Sequence, residues 1–527
     1  MVKKILVICV LITLTITQAK AFDFYAPNND GVRIYYDFQG GVGNRVIVTA
    51  REGIFPTYSG VINIPDYVTY EGVKYAVETI GEGAFYGCTE LTEVILPPTM
   101  KTFRERAFDG CNKLKKINFP DGVTSIRYRA FSDCSSLKNV SLGANLTEID
   151  MYAFINCSAL ESVTFGNKLS RIDYCAFSGC NELKSVILPE SVAEIGDFAF
   201  SSTGLTSITI PNGVKTIGSR AFSYCNNLEQ VIIGDNVSFI GRSAFIHCNS
   251  LKRFVVSGQN NKYSDEDGVL VSKDKTILII FPAGKSTSEI PSSVKIIGEA
   301  AFAGGDFSEI IIPANIDSIG PAAFYSCRNL EKVVFSENLR SIADSAFHEA
   351  SLLEYITIPD NVISIGKDAF SGCRSLIGVV IGMNVKEIGK DAFYGTSVRS
   401  LYNRNPVPQV VKENLGLYYV KLHVPNGSLD LYKNASYWGD FYFYEITEDE
   451  YDESIVENEN VVKENIIIVG TSNGISVSSN SPATVTVYSM SGQMVYQQHL
   501  RDRLDIQLQR GIYIIKAGNV TKKAYVK

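Results

Sequence analysis

The chain has 527 residues, 45% apolar and 20% charged, with Ile, Val, Phe and Tyr abundant and a single Trp. This is the composition of a folded, strand-forming chain, long enough for several domains or for one extended repeat array. A formal net charge of −7 with no run of Lys or Arg argues against nucleic-acid binding.

The N-terminus reads MVKKILVICVLITLTITQAKAF. Lys3 and Lys4 precede an apolar stretch from Ile5 to Ile16, and Ala19-Lys20-Ala21 supplies small residues either side of a cleavage point. Residues 1–21 read as a secretory signal peptide cut after Ala21. The apolar run is well short of the roughly 20 residues a spanning helix needs, so no transmembrane helix is expected. Residues 22–79 alternate like strands around a Gly-rich turn and are expected to form an N-terminal β cap.

A repeat then takes over. An Ala-Phe pair returns with Phe at 85, 108, 131, 154, 177, 200, 222, 245, 302, 324, 347, 370 and 393, at spacings of 22 or 23 apart from one step of 57. A fixed period of this length means a solenoid. Counted from Phe177, the pattern runs Cys180, Leu183, Val186, Leu188, Pro189, Val192, Ile195, Gly196. The L-x-x-V-x-L stretch is expected to give one short parallel strand per coil, closed by Pro, which cannot donate to a ladder. V-x-x-I reads as a second short extended segment and G-x-x-A-F-x-x-C as a tight helical turn. The long step reads as one complete coil followed by a coil carrying a hairpin insertion (258–290), within a solenoid spanning 80–400. Asp265, Glu266 and Asp267 in that insertion lack the ligand spacing of a calcium loop.

Nine of eleven cysteines fall three residues after the Phe: 88, 111, 134, 157, 180, 225, 248, 327 and 373. In the shortened turns after Phe200, Phe302 and Phe393 the Cys disappears, and after Phe347 it becomes Ala350. These cysteines therefore read as small buried packing residues rather than as disulfide partners or zinc ligands.

The pattern I-G-x-x-A-F-x-x-C-x-x-L-x-x-V-x-L-P, in thirteen copies, resembles the BspA-like leucine-rich repeat family. That resemblance implies a mainly β solenoid acting as a surface adhesin for host matrix proteins or other cells. Residues 401–446 break the period and resemble the element that closes such arrays, with Trp438 as anchor. Residues 447–465 are acidic and weakly apolar, hence a linker. Residues 466–527 read as a small β-sandwich and resemble the C-terminal sorting domain of type IX secretion, through Asn473-Gly474, Gly492, Gly511, Tyr513 and the closing stretch from Lys523. This second resemblance implies export by the type IX machinery to the outer-membrane surface or beyond, removal of the domain, and attachment to surface lipopolysaccharide.

No nucleophile elbow, zinc-protease motif or phosphate loop occurs, so neither an enzyme nor a cofactor is expected. The candidate ligand face is the strand row beside the core: Ile187, Ile232, Arg253, Val255, Ile311, Lys332, Val334, Tyr355, Thr357 and Val380. A glycan-capture module and a purely structural surface-layer protein are the alternatives. For glycans, Tyr325, Tyr355 and Tyr394 are scattered candidates.

Overall fold

The computed structural model describes residues 22–40, 43–50, 58–439 and 441–446, and in the tail 466–471, 474–479, 483–489, 493–500, 503–508, 511–517 and 520–526. The signal peptide with Ala19 and Ala21, the linker 447–465, and Asn473 and Gly492 lie outside the described residues. The fold is a β-solenoid of coils about 23 residues apart, almost all strand and turn. It divides into two compact units, residues 1–225 with 239–244, and residues 226–238 with 245–527.

In the first unit the cap begins with the antiparallel strands Phe24–Pro27, Arg33–Phe38 and Arg45–Thr49. The last of these runs parallel to Val73–Ile80, which passes the parallel register on to Thr102–Phe103. Tyr58 lays its ring 4.8 Å from that of Phe85 and so closes the open end of the phenylalanine column. Below it the rings from Phe85 to Phe222 are stacked nearly parallel, 4.8 to 5.5 Å apart.

The Ala-Phe turn is itself a ladder. Phe108 N–H donates to the carbonyl of Ala130 in the next coil, and Phe131 N–H to that of Ala153. Residues two places either side of the Phe, such as Arg106 and Gly110, hold left-handed backbone. That geometry aims the turn's N–H groups along the stack. The second extended segment, not L-x-x-V-x-L, makes the unbroken ladder: Thr102–Phe103, Ser125–Ile126, Glu148–Ile149, Arg171–Ile172, Glu194–Ile195, Thr216–Ile217 and Phe239–Ile240, all parallel. The second extended segment expected from V-x-x-I is thus the constant strand, while the L-x-x-V-x-L strand expected in each coil is missing from the Phe177 coil, residues 183–188. The glycine after the Ile permits this close approach: a Cβ on Gly196 would lie 2.8 Å from the Asp173 carbonyl carbon.

The ten described cysteines are all buried and unpaired by disulfides. They do more than fill space. The Cys111 thiol donates to the carbonyl of Phe85 in the preceding coil (3.1 Å), Cys134 to Phe108 (3.2 Å), Cys157 to Phe131 (3.2 Å), Cys180 to Phe154 (3.3 Å) and Cys225 to Phe200 (3.1 Å). In the shortened turn without the Cys, Thr203 donates its hydroxyl to Phe200 O of its own coil (2.9 Å). The cysteines are thus free, buried packing residues, as expected, and in these coils they also donate to a neighbouring carbonyl, whereas Ala350 at the same position only fills space.

In the second unit Gln230–Ile233 and Arg253–Val256 pair in parallel. A three-stranded antiparallel insertion follows: Tyr263–Glu266, Val269–Ser272 and Ile277–Ile280. The long step has the opposite order to that expected. Phe281, 36 residues after Phe245 and 21 before Phe302, donates its N–H to Ala301 O and stacks 4.7 Å from Phe302. The insertion therefore belongs to the first of the two coils, and a short complete coil follows it. The sequence conceals this because Ile280, not Ala, precedes Phe281.

From Ile277–Ile280 a second unbroken ladder runs through Ile296–Ile297, Ser318–Ile319, Ser341–Ile342, Ser364–Ile365 and Glu387–Ile388 to Val410–Val411. Cys327 and Cys373 repeat the thiol-to-carbonyl bond, to Phe302 (3.1 Å) and Phe347 (3.2 Å). The closing element contains the short helix Leu429–Lys433. The fully buried Trp438 donates its indole N–H to Gln409 O (3.0 Å), so the anchor expected from sequence is in place.

The tail forms two antiparallel sheets. One comprises Ile466–Thr471, Gly474–Ser479 and Arg503–Gln507, the other Met494–Leu500, Ala483–Ser489, Gly511–Ala517 and Val520–Val526. Val477, Val485, Val487, Ile506 and Ile515 form its own small core. Gly474, Gly511, Tyr513 and Lys523 all lie within these strands.

Candidate ligand face

Unlike the two continuous ladders, the L-x-x-V-x-L strands break up. One sheet ends at Lys116–Ile117, another at Ser162–Thr164 and another at Lys332–Val334. Each of these three strands is followed by Phe in place of Leu or Ile: Phe119, Phe165 and Phe335. Each ring turns edge-on to the column Phe of the following coil. Phe119 meets Phe131 at 5.3 Å, Phe165 meets Phe177 at 5.8 Å, and Phe335 meets Phe347 at 5.7 Å. Edge-to-face packing needs more room than an aliphatic side chain takes. The backbone records the cost. Leu142, Ile312 and Ile358 donate their N–H groups to Thr164, Val334 and Val380 of the next coil. Among the described residues, the N–H groups of Phe119, Phe165 and Phe335 make no such bond. A phenylalanine thus accompanies the break at these three places, while at a fourth the stretch ending in Leu188 forms no strand and, among the described residues, the Leu188 N–H likewise makes no such bond.

At Phe335 the parted strands leave a hollow of about 320 Å³. It is lined by Lys332 and Glu331 from one coil and by Leu352, Glu354, Tyr355 and Thr357 from the next. Lys332 is ion-paired to Glu309 (3.0 Å). Three of the residues singled out in the sequence, Lys332, Tyr355 and Thr357, thus come together on this hollow. Sequence reasoning missed Phe335, although Phe at its position was visible in only three coils.

The other row members fall into two groups. Ile187, Ile232, Arg253, Val255 and Ile311 are exposed, Ile187 at 88%. Val334 and Val380 are buried, at 5% and 3% exposure, and drop out of any open face. Val380 lies in register between Thr357 and Tyr402, and the Tyr402 ring stacks on His423 at 4.2 Å. Val334 lies level with Ile311. Cross-strand neighbours about 5 Å apart cover one another's side chains.

The inserted strands do not offer a free acidic loop. Gly268 O accepts from Phe254 N–H (2.8 Å), Asp265 accepts from Val256 N–H (2.8 Å), and Glu266 holds Ser293 (3.0 Å) and Lys275 (3.4 Å). Among the described residues, the carboxylates of Glu148, Asp150 and Asp173 gather within 4.8 Å of one another. Arg171 bonds Glu148 and Asp173 at 3.1 Å each, and Arg127 lies 3.6 Å from Asp150. Two arginines thus pair with the three carboxylates, and partial burial raises the Asp150 pKa.

With this geometry in hand, the comparisons with known proteins are decisive on family. The model of the BspA type leucine-rich repeat region matches residues 68–181, 147–266 and 285–402, and is built of six copies. The chain belongs to the BspA-type leucine-rich repeat family. Residues 471–527 of this BspA-type protein match the secretion system C-terminal sorting domain. The domain marks it for type IX export to the cell surface or the extracellular space. Among the described residues no helix is long and apolar enough to cross a membrane.

Solved structures similar to this BspA-type chain include a leucine-rich cell surface protein from Faecalibacterium prausnitzii A2-165. The two share 24% identity over 72% of this chain and 95% of that one, with a TM-score of 0.45. A leucine-rich repeat protein from Bacteroides ovatus ATCC 8483 shares 26% identity over 79% and 98%, with a TM-score of 0.46. The pneumococcal vaccine antigen PcpA shares 21% over 81% and 99%, with a TM-score of 0.46. No curated protein matches the sequence.

Proposed function

We propose that this surface leucine-rich repeat protein is an adhesin, holding host matrix proteins or other cells through the L-x-x-V-x-L strand face. The observation that carries the reading is the hollow near Phe335, where Lys332, Tyr355 and Thr357 meet with Leu352. It combines an aromatic ring, a branched apolar side chain and a cation, a mixture that suits a protein surface. Similar rows along the face, with Ile232, Arg253 and Val255, would add weak contacts to this stronger one. After export, removal of the sorting domain and attachment to surface lipopolysaccharide would leave the solenoid displayed.

The test is a binding screen of the exported protein against immobilised matrix proteins, repeated with Tyr355→Ala and Thr357→Glu. The reading expects at least one matrix protein to be retained and both variants to weaken it at unchanged melting temperature. Retention unaffected by both substitutions in folded protein would remove the strand face from the proposal.

A further inference from the structure

The phenylalanine column of the second unit ends at Phe393. Phe370 N–H bonds Ala392 O, and by the same pattern Phe393 N–H bonds Leu415 O (3.0 Å). Leu415 therefore stands in the place of the Ala, and Gly416 in the place of the next Phe. Gly416 holds a left-handed φ of +73°, and a Cβ there would come within 2.7 Å of the Tyr394 backbone and Cβ. The final coil thus lacks the ring that fills every preceding coil of this stack, and a cavity of about 380 Å³ opens there.

Its lining is rich in tyrosine. Leu417 and Phe441 contribute apolar surface, while Tyr418, Tyr419 and Tyr437 stand around it. Tyr419 is 88% exposed and Tyr418 71%, and Tyr394 adjoins them, also exposed. Tyr419 and Tyr437 hold left-handed backbone, at φ +59° and +67°. Isolated non-glycine residues in this conformation carry strain that the surrounding structure must offset. The Asn414 Oδ1 accepts from Gly416 N–H (2.8 Å), which fixes the amide and leaves its NH2 group at the cavity. Among the described residues no charged side chain lines the cavity, and of those nearby Lys390 is paired with Glu413 and Lys412 with Glu387.

We infer that this terminal-coil cavity is a binding site for a neutral saccharide. A pyranose presents a C–H face that packs on a flat ring and a rim of hydroxyls that need donors and acceptors. Three tyrosines and a fixed amide supply both, since tyrosine is apolar in body and polar at its tip. The volume lies within the range of about 300 to 1,000 Å³ usual for small-ligand sites. A wholly apolar ligand would strand the hydroxyls and the amide. An ionic ligand would find no unpaired counter-charge among these neighbours. The site is separate from the strand-face hollow, so adhesion to matrix proteins and sugar binding stand or fall independently.

The experiment is saturation-transfer NMR, followed by titration, of the exported protein with cellobiose, maltose, lactose, N,N′-diacetylchitobiose and 3′-sialyllactose. At least one of the four neutral disaccharides should bind, and Tyr418→Ala and Tyr437→Ala should each weaken it at least tenfold at unchanged melting temperature. Should either alanine variant fold poorly, Asn414→Asp keeps the acceptor for Gly416 N–H but loses the amide donors, and should also weaken binding. Tyr355→Ala, in the other hollow, should leave it unchanged. The inference is overturned if no neutral disaccharide binds at 10 mM (about 10 K_d for millimolar sites), if only 3′-sialyllactose binds, or if binding survives all the cavity variants.

Discussion

Replacing Phe335 with Leu tests directly whether the phenylalanine holds the strands apart. Leucine stays apolar and fits the position that Leu142 and Ile312 occupy in unparted coils. The substitution removes the edge-to-face contact with Phe347 at 5.7 Å and 81°, a loss of about 0.5–1.5 kcal/mol. It also lets the strands close. By analogy with Ile312 N–H to Val334 O and Glu331 N–H to Ser308 O, two backbone bonds should form: residue 335 N–H to Thr357 O, and Glu354 N–H to Glu331 O. Each contributes about 0.5–1.5 kcal/mol net. The two bonds together gain about 1–3 kcal/mol against that loss, so the unfolding free energy should change by between about −0.5 and +2.5 kcal/mol.

The local signal is much larger. Hydrogen exchange at the amides of residues 335 and 354 should slow about tenfold or more as they gain partners. The hollow lined by Lys332, Tyr355 and Thr357 should shrink, and any ligand held there should be lost. If the variant is folded by its melting curve and both amides exchange as fast as in the native protein, phenylalanine is not what holds the strands apart.

Further outcomes follow from the rest of the fold. Burial pushes the Cys327 and Cys373 thiols from 9.0 up to about 12, so native protein should resist alkylation at pH 8 and release its thiols only on unfolding. Those thiols ionise earlier in the unfolded chain, so stability should be unaffected below about pH 9 and fall between pH 9 and 12, seen as a declining urea midpoint. Trp438→Ala removes a fully buried ring and its bond to Gln409, and should cost about 3–5 kcal/mol in chemical denaturation of the closing end. Deleting 466–527 should leave the solenoid folded by circular dichroism, because the tail buries its own core, while surface proteolysis of intact cells should no longer find the protein.

The period and its apolar positions were legible because every coil writes them again. Trp438 was legible because it is the only Trp and follows the last regular coil. What escaped sequence reading were choices between residues of like hydropathy. Leu and Phe after the strand look equivalent in a pattern of apolar positions, yet the ladder parts at all three Phe and, among the Leu positions, at Leu188. Cys and Ala look equivalent as small residues, yet only Cys reaches the Phe carbonyl. Phe281 was hidden by the loss of its alanine, which reversed the order of the two coils in the long step. Val334 and Val380 seemed to face outward by alternation, but neighbouring side chains cover them. The aromatic cavity depends on what the last coil lacks, and a missing Phe in LGLYY is harder to see than a present one.

The repeating junction between coils also bears on how such a chain can change length. Phe N–H meets the next Ala O at every ordinary junction, and a 22-residue step from Phe200 to Phe222 serves as well as the usual 23. A gene duplication of one whole coil would therefore insert without disturbing either cap, because each cap still meets the same coil face. The product would be longer by one stacking interval. Duplicating as a pair the coil that carries Phe335 and the coil that carries Tyr355 would add a second hollow, so the number of binding positions could rise with the copy number of one short DNA segment.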